Sequence, residues 1–112
     1  MTDSCSLAKG KCLPCEGGMP TLAENEIAQL MPSLSGWQRT GNTLVKTYRF
    51  GNYHETMAFV NATAWISHRE DHHPDLAVGY NQCTVSYTTH AIDGLSRNDF
   101  ICAAKIDALL VL

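Results

Sequence analysis

No stretch of this 112-residue chain is both long enough and apolar enough to span a bilayer. The opening residues, MTDSCSLAKGKC, lack the charged-then-apolar layout of a secretory signal, so a cytoplasmic protein is expected. Basic charge is sparse: eight Lys and Arg are scattered against eleven Asp and Glu, for a net charge of −3. Without a basic stripe, nucleic acid is not an expected direct partner. Cysteine comes in an odd number, five, so one chain cannot pair all of them in disulfides. No internal repeat is convincing, although the order strand, strand, helix occurs twice. Hydrophobic residues at 45% and charged residues at 17% describe an ordinary globular chain with room for one core.

Residues 1–20 read as a flexible leader, punctuated by Gly10, Pro14, Gly17, Gly18 and Pro20. Cys12-Leu13-Pro14-Cys15 has CxxC spacing. A zinc knuckle would want a second such pair, and a redox site a helix start directly after the motif. Neither follows, so the leader is read as carrying exposed thiols. Cys83 and Cys102 sit inside apolar patterns and read as small buried hydrophobes.

From residue 21 the punctuation becomes periodic, and residues 21–112 read as one domain. Thr21 and Glu24 have capping-box spacing before a short helix that Pro32 closes. Residues 36–50 read as a hairpin turning at Gly41-Asn42. Asn52 offers a cap for a helix whose apolar face is read as Ala58, Phe59, Ala62, Trp65 and Ile66, with Trp65 in the core. Strands follow at 76–80 and 83–89. Ser96 and Asp99 repeat the capping-box spacing before a last helix carrying Phe100, Ile101, Ala104 and Ala108. The expected fold is α+β, in the order α-β-β-α-β-β-α, with three helices packed on one face of a four-stranded antiparallel sheet.

Three of the five histidines fall between residues 72 and 90. His72 and His73 are adjacent and followed by Pro74, which disfavours helical geometry at His73. An irregular backbone there lets two neighbouring rings converge. His90 can return to the same sheet end if the two intervening strands are antiparallel neighbours. Imidazoles titrate near neutrality, so one can donate a proton while another accepts one, as an elimination of water requires. The spacing alone leaves a polar surface turn as the alternative. A metal reading also competes, since His68 and His72 are four apart, but Arg69 stands where a zinc peptidase carries its glutamate.

Asp71-His72-His73-Pro74-Asp75, Tyr80-Asn81, Val85, Thr89-His90, Gly94-Leu95-Ser96 and Asp99 together resemble the signature of the pterin-4a-carbinolamine dehydratases. The same family is known in animals as a dimerisation cofactor of a homeodomain transcription factor. The resemblance runs from residue 22 to the C-terminus and leaves the cysteine-bearing leader outside. It implies dehydration of 4a-hydroxytetrahydropterin to quinonoid dihydropterin and water, in tetrahydropterin recycling, with no metal and no cofactor beyond the pterin substrate. By the same resemblance His72, His73 and His90 are the catalytic histidines, while Asp71, Pro74 and Asp99 contribute to substrate binding. It further implies a homodimer or homotetramer and a link to an aromatic amino acid hydroxylase. A scaffold role, stabilising a partner's oligomer without catalysis, is the alternative. The apolar end of the last helix, Ala108-Leu109-Leu110-Val111-Leu112, is a candidate contact for it, and homo-oligomerisation is expected through that helix or the sheet edge. One departure stands out: animal members tend to carry a glutamate where this chain has His68.

Overall fold

The computed structural model describes residues 7–12 and 21–110. Helix α1 spans Glu24–Leu30 and runs into a single 3-10 turn, Met31–Ser33, that contains Pro32. Strands β1 (Gln38–Thr40) and β2 (Thr43–Arg49) form the hairpin, with Gly41 at a φ of 60° in the tight turn where a left-handed residue is needed. Helix α2 spans Tyr53–Glu70, β3 Asp75–Val78, β4 Gln82–Tyr87 and α3 Arg97–Ala108. All three strand pairings are antiparallel, in the order β1-β2-β4-β3. The expected fold class is the observed one. No helix among the described residues is long and apolar enough to cross a membrane.

The sheet alternates cleanly. Leu44 and Tyr48 of β2 and Cys83, Val85 and Tyr87 of β4 are buried on the helix side, where Phe59, Phe100, Ile101 and Ile106 meet them. Thr47 and Thr84 hydrogen-bond to each other on the opposite face at 2.8 Å. A fully buried Leu, Phe or Val contributes ~1.5–3 kcal/mol through its removal from water, so this one layer carries most of the fold's stability.

Three expectations are corrected. The cap of α1 is not Thr21: Ala23 precedes the helix, and its N–H donates to Glu26 Oε1 at 2.9 Å. Glu24, expected in the capping box, is instead held by the Arg39 guanidinium. The buried face of α2 is Thr56, Phe59 and Thr63, while Ala58 is exposed and Trp65 is 62% exposed. Threonine can line a core because its hydroxyl bonds back to the helix: Thr63 Oγ1 donates to the Val60 carbonyl at 2.7 Å. That rotates the helix away from the face that apolar residue types mark. Finally, residues 7–12 are not a free leader. Leu7 is 1% exposed within the core, and Lys105 Nζ donates to the Ala8 carbonyl at 2.7 Å. Helix α3 has eight buried residues, too many for one stripe, so a second covering layer is required and this segment provides part of it.

Tyr87, wholly buried, gives a stability prediction. Its hydroxyl meets full hydrogen-bond geometry with no described residue. Burial pushes its pKa far above the usual tyrosine value, against a smaller opposing contribution from the Ser67 side chain. Burial and then the Asp107 carboxylate do the same to Tyr48. A folded-state pKa raised in this way means that stability is complete below about pH 10, the unfolded value, and declines above it. Each tyrosine steepens that decline by about 1.4 kcal/mol per pH unit. Tyr87→Phe should therefore keep or slightly raise stability at neutral pH, as read by urea unfolding between pH 8 and 11. It should take about 1.4 kcal/mol per pH unit off the slope above about pH 10, leaving the contributions of Tyr48 and the buried Cys83 and Cys102 thiols. An unchanged slope would contradict the assignment.

Candidate active site

The chain between α2 and β3 is shaped by two neighbouring constraints. Asp71 ends α2 in the left-handed conformation, with φ 52° and ψ 43°, and its N–H returns to the Ser67 carbonyl. Pro74 then keeps His73 out of helical geometry. The two imidazoles consequently take different environments: His72 is 8% exposed, whereas His73 is exposed, its Nδ1 3.4 Å from the Pro74 carbonyl oxygen.

His90 comes from the other side. Because Asp75 pairs with Ser86, the start of β3 and the end of β4 share one end of the sheet. Beyond β4 the chain does not continue as a strand. His90 opens a 3-10 turn, His90–Ile92, closed by Asp93 at φ 51°. Thr89 N–H donates to the Gly94 carbonyl at 3.0 Å across the base of that turn, and Asn42 Nδ2 holds the Asp93 carbonyl at 3.2 Å. A Cβ on Gly94 would come within 2.7 Å of the Thr21 methyl, so the close approach there calls for glycine.

Asp71, His72, His73, Thr88, Thr89, His90 and Ala91 line an open cleft of about 280 Å³. All three sequence-predicted histidines and Asp71 are thus brought together. Pro74 shapes the backbone but is not on the wall. Asp99 is not on the wall either: it is wholly buried behind His72, with Oδ1 at 2.7 Å from His72 Nε2. Its other oxygen accepts from Thr89 Oγ1 at 2.7 Å and from the Ser96 N–H at 2.9 Å.

Counting protons orders this network. The Thr89 hydroxyl has one hydrogen and gives it to Asp99, so the Ser96 hydroxyl, 2.8 Å away, must be the donor to Thr89. Oδ2 accepts twice, and an ionised Asp99 accepts a third bond at Oδ1, from His72 Nε2–H. The ring of Tyr87 lies parallel to that of His72, centroids 5.7 Å apart and planes within 9°. Residue type alone did not mark Tyr87, Thr89 and Ser96 as part of the site. Alternation along β4 places Tyr87 on the buried side, while Thr89 and Ser96 entered the site only through the family resemblance.

Two further expectations meet the coordinates here. Trp65, read as core, borders a separate groove with Ile66, Arg69, Glu70 and Lys105, its ring 6.4 Å from that of His68 and outside the cleft of His72, His73 and His90. His68 stands on the last turn of α2, while His72 follows the left-handed break at Asp71, so the register that would aim both at one ion does not persist. Among the described residues, no three His, Cys, Asp or Glu side chains are grouped to hold a metal ion.

Comparison with known proteins agrees with this geometry. The pterin 4 alpha carbinolamine dehydratase family profile matches residues 20–109. A Nitrosomonas eutropha protein, named "Putative pterin-4-alpha-carbinolamine dehydratase", is 62% identical over 112 residues, covering 99% of each chain. A Nitrosospira multiformis protein of the same name is 67% identical over 103 residues, covering 92% of this chain and 91% of its own. Among solved structures, a transcriptional coactivator/pterin dehydratase from Brucella melitensis superposes with a TM-score of 0.77 at 26% identity, over 80% of this chain and 98% of its own. A pterin dehydratase-like protein described as a RuBisCO assembly factor in the alpha-carboxysome superposes at 0.55 with 27% identity, over 65% and 84%. With its profile match across nearly all of the periodic sequence, the chain belongs to the pterin 4 alpha carbinolamine dehydratase family.

Proposed function

We propose that the protein is a hydro-lyase that converts a 4a-hydroxytetrahydropterin to quinonoid dihydropterin and water, in tetrahydropterin recycling. The observation that carries this reading is the convergence of three imidazoles from two separate connections on one cleft, one of them backed by a buried carboxylate. At about 280 Å³ the cleft lies at the small end of ligand pockets, which run from roughly 300 to 1,000 Å³, and suits a compact bicyclic ligand. In the reaction the C4a–O bond breaks as the hydroxyl takes a proton and leaves as water. The N5–H proton passes to a base, and its electron pair forms the C4a=N5 bond. His72 and His90 divide the acid and base roles, and His73 with Asp71 positions the pterin. His72 is held before the substrate arrives, by Asp99 at its edge and Tyr87 against its face. No metal or further cofactor takes part in this scheme.

The decisive test adds purified protein to an aromatic amino acid hydroxylase reaction, the class of reaction that generates the carbinolamine, and follows its decay to quinonoid product. Accelerated decay supports the proposal; decay at the spontaneous rate overturns it. Such a hydroxylase would be the protein's functional partner in a cytoplasmic setting.

A second reading, a scaffold that stabilises a partner's oligomer, is favoured by the two structural neighbours' descriptions as a coactivator and an assembly factor. The body of α3 is buried on most sides, but at the expected apolar end Leu110 is exposed, while Val111 and Leu112 lie outside the described residues. The other exposed large apolar groups among the described residues are Tyr53 and Trp65 on α2 and Val78 and Tyr80 at the end of the edge strand β3. Self-association through that edge would give the expected homodimer or homotetramer. Sedimentation at micromolar concentration should show the oligomer; a monomer would contradict it.

A further inference from the structure

The N-terminal segment brings a second reactive pair together, outside the lining of the pterin cleft. Cys12 Sγ lies 3.3 Å from Cys102 Sγ. Cys102 is wholly buried on α3, one turn beyond Asn98 and Asp99, and Cys12 Sγ also faces the Asn98 carbonyl oxygen at 3.8 Å. The approach is anchored on both sides. Leu7 is in the core and the Ala8 carbonyl is held by Lys105, while the Cys12 N–H donates to Glu70 Oε1 at 3.0 Å. Lys11 and Lys105 close on the same carboxylate at 3.8 and 3.9 Å. Burial pushes the Glu70 carboxyl up, but the Cys12 N–H and the two lysines outweigh it and hold it below the usual range. Two sulfurs so presented need to close by only about 1.3 Å to reach the ~2.0 Å of a disulfide.

We propose that Cys12 and Cys102 are a thiol–disulfide switch, oxidised by a low-molecular-weight disulfide such as glutathione disulfide, that latches the N-terminal segment onto α3. Cys12, half-buried at the surface, attacks first as its thiolate. It displaces one small thiol and becomes a mixed disulfide. Cys102 then attacks the Cys12 sulfur and expels the second small thiol, which takes the Cys102 proton. Two protein thiols are oxidised to one disulfide, and one small disulfide is reduced to two thiols. The order cannot be reversed: Cys102 is sealed from solvent, and the adjoining Cys12 sulfur and burial hold its proton tightly. The latch spans 90 positions of sequence, so it constrains the unfolded chain strongly. It also joins the elements beneath the cleft, because Cys12 reaches Glu70, just before Asp71 and His72, while Cys102 follows Asp99 on α3. This proposal stands independently of the dehydratase reading.

The test incubates the full chain with glutathione disulfide or with dithiothreitol, traps free thiols with N-ethylmaleimide, and maps peptides without reduction. A dominant Cys12–Cys102 linked peptide is expected, with a melting temperature raised by about 10 °C over the reduced protein. Cys12→Ser and Cys102→Ala should each abolish that rise, and Cys15→Ser should preserve it. Having two variants at opposite ends of the pair guards against a folding defect in either. The proposal is overturned if Cys102 stays alkylatable only after unfolding while Cys12 carries glutathione or pairs with Cys15. Zinc co-purifying on these thiols in stoichiometric amount would overturn it as well.

Discussion

His72→Ala is expected to lower kcat for carbinolamine dehydration by ~10²–10³-fold, the range lost with a positioned proton donor or acceptor. The same substitution should leave a folded but less stable protein, because it orphans the buried Asp99 Oδ1 while Thr89 and Ser96 still hold Oδ2 and the core still packs Tyr87. Asp99 separates positioning from structure more sharply. It is wholly buried and touches the ring, not the cleft, so it acts through His72. In Asp99→Asn one of the two former carboxylate oxygens becomes an NH₂ group. If the NH₂ turns toward His72, Nε2 must become the acceptor and the ring's proton moves to Nδ1; if it turns the other way, it faces the Ser96 N–H and Thr89 O–H donors. The expected loss in kcat is ~10–100-fold with KM changed less than threefold, and an altered pH dependence of kcat, since the ring's hydrogen-bond partner has changed. His73→Ala should show the opposite split, raising KM with a smaller effect on kcat, because that ring is exposed and unsupported by a buried carboxylate. If His72→Ala and Asp99→Asn both retained wild-type kcat in the hydroxylase-coupled assay, the acid–base assignment would be wrong, whatever their KM.

Much of this arrangement can be read along the chain, and the parts that cannot share a cause. Local signals held: Asn52 Oδ1 accepts from the Glu55 N–H at 2.9 Å, Gly41 takes the left-handed turn, and Ser96 with Asp99 caps α3. Pro74 correctly marks the irregular backbone that lets His72 and His73 face one cleft. What spacing alone did not show was which distant group a polar residue serves, although the resemblance marked Asp99 as a site residue. Asp99 is visible as a cap from its spacing to Ser96, yet its second oxygen serves a ring 27 positions away. Thr56 and Thr63 look like surface residues until their hydroxyls are returned to backbone carbonyls, and Trp65 looks like core until that happens. The segment 7–12 contains too little periodicity to predict docking; the surplus of apolar residues on α3 was the clue, and it was equally compatible with self-association.

The same principle governs the residue expected to matter most for stability, Asp107. A carboxylate in the last turn of a helix faces the negative end of the helix dipole, a disadvantage of ~0.3–1 kcal/mol. Three donors more than offset it. Trp37 Nε1 donates to Oδ2 at 3.0 Å, Lys46 Nζ to Oδ1 at 2.8 Å, and the Tyr48 hydroxyl also to Oδ1. Trp37 and Tyr48 are both 5% exposed, so neither can turn to water if the acceptor is removed. Lys46 retains the Ser35 carbonyl at 3.0 Å and lies over the Tyr48 ring, and it loses least. Each orphaned buried donor costs about 1–3 kcal/mol, and relief at the helix end returns part of that. Asp107→Ala should therefore destabilise the fold by about 3 kcal/mol and lower the melting temperature by roughly 15 °C. Tyr48→Phe removes a donor together with its need for an acceptor, and should cost about 1 kcal/mol. The contrast tests the mechanism: matched urea titrations in which both variants lose the same stability would mean that ring packing, and not the shared carboxylate, ties α3 to β2.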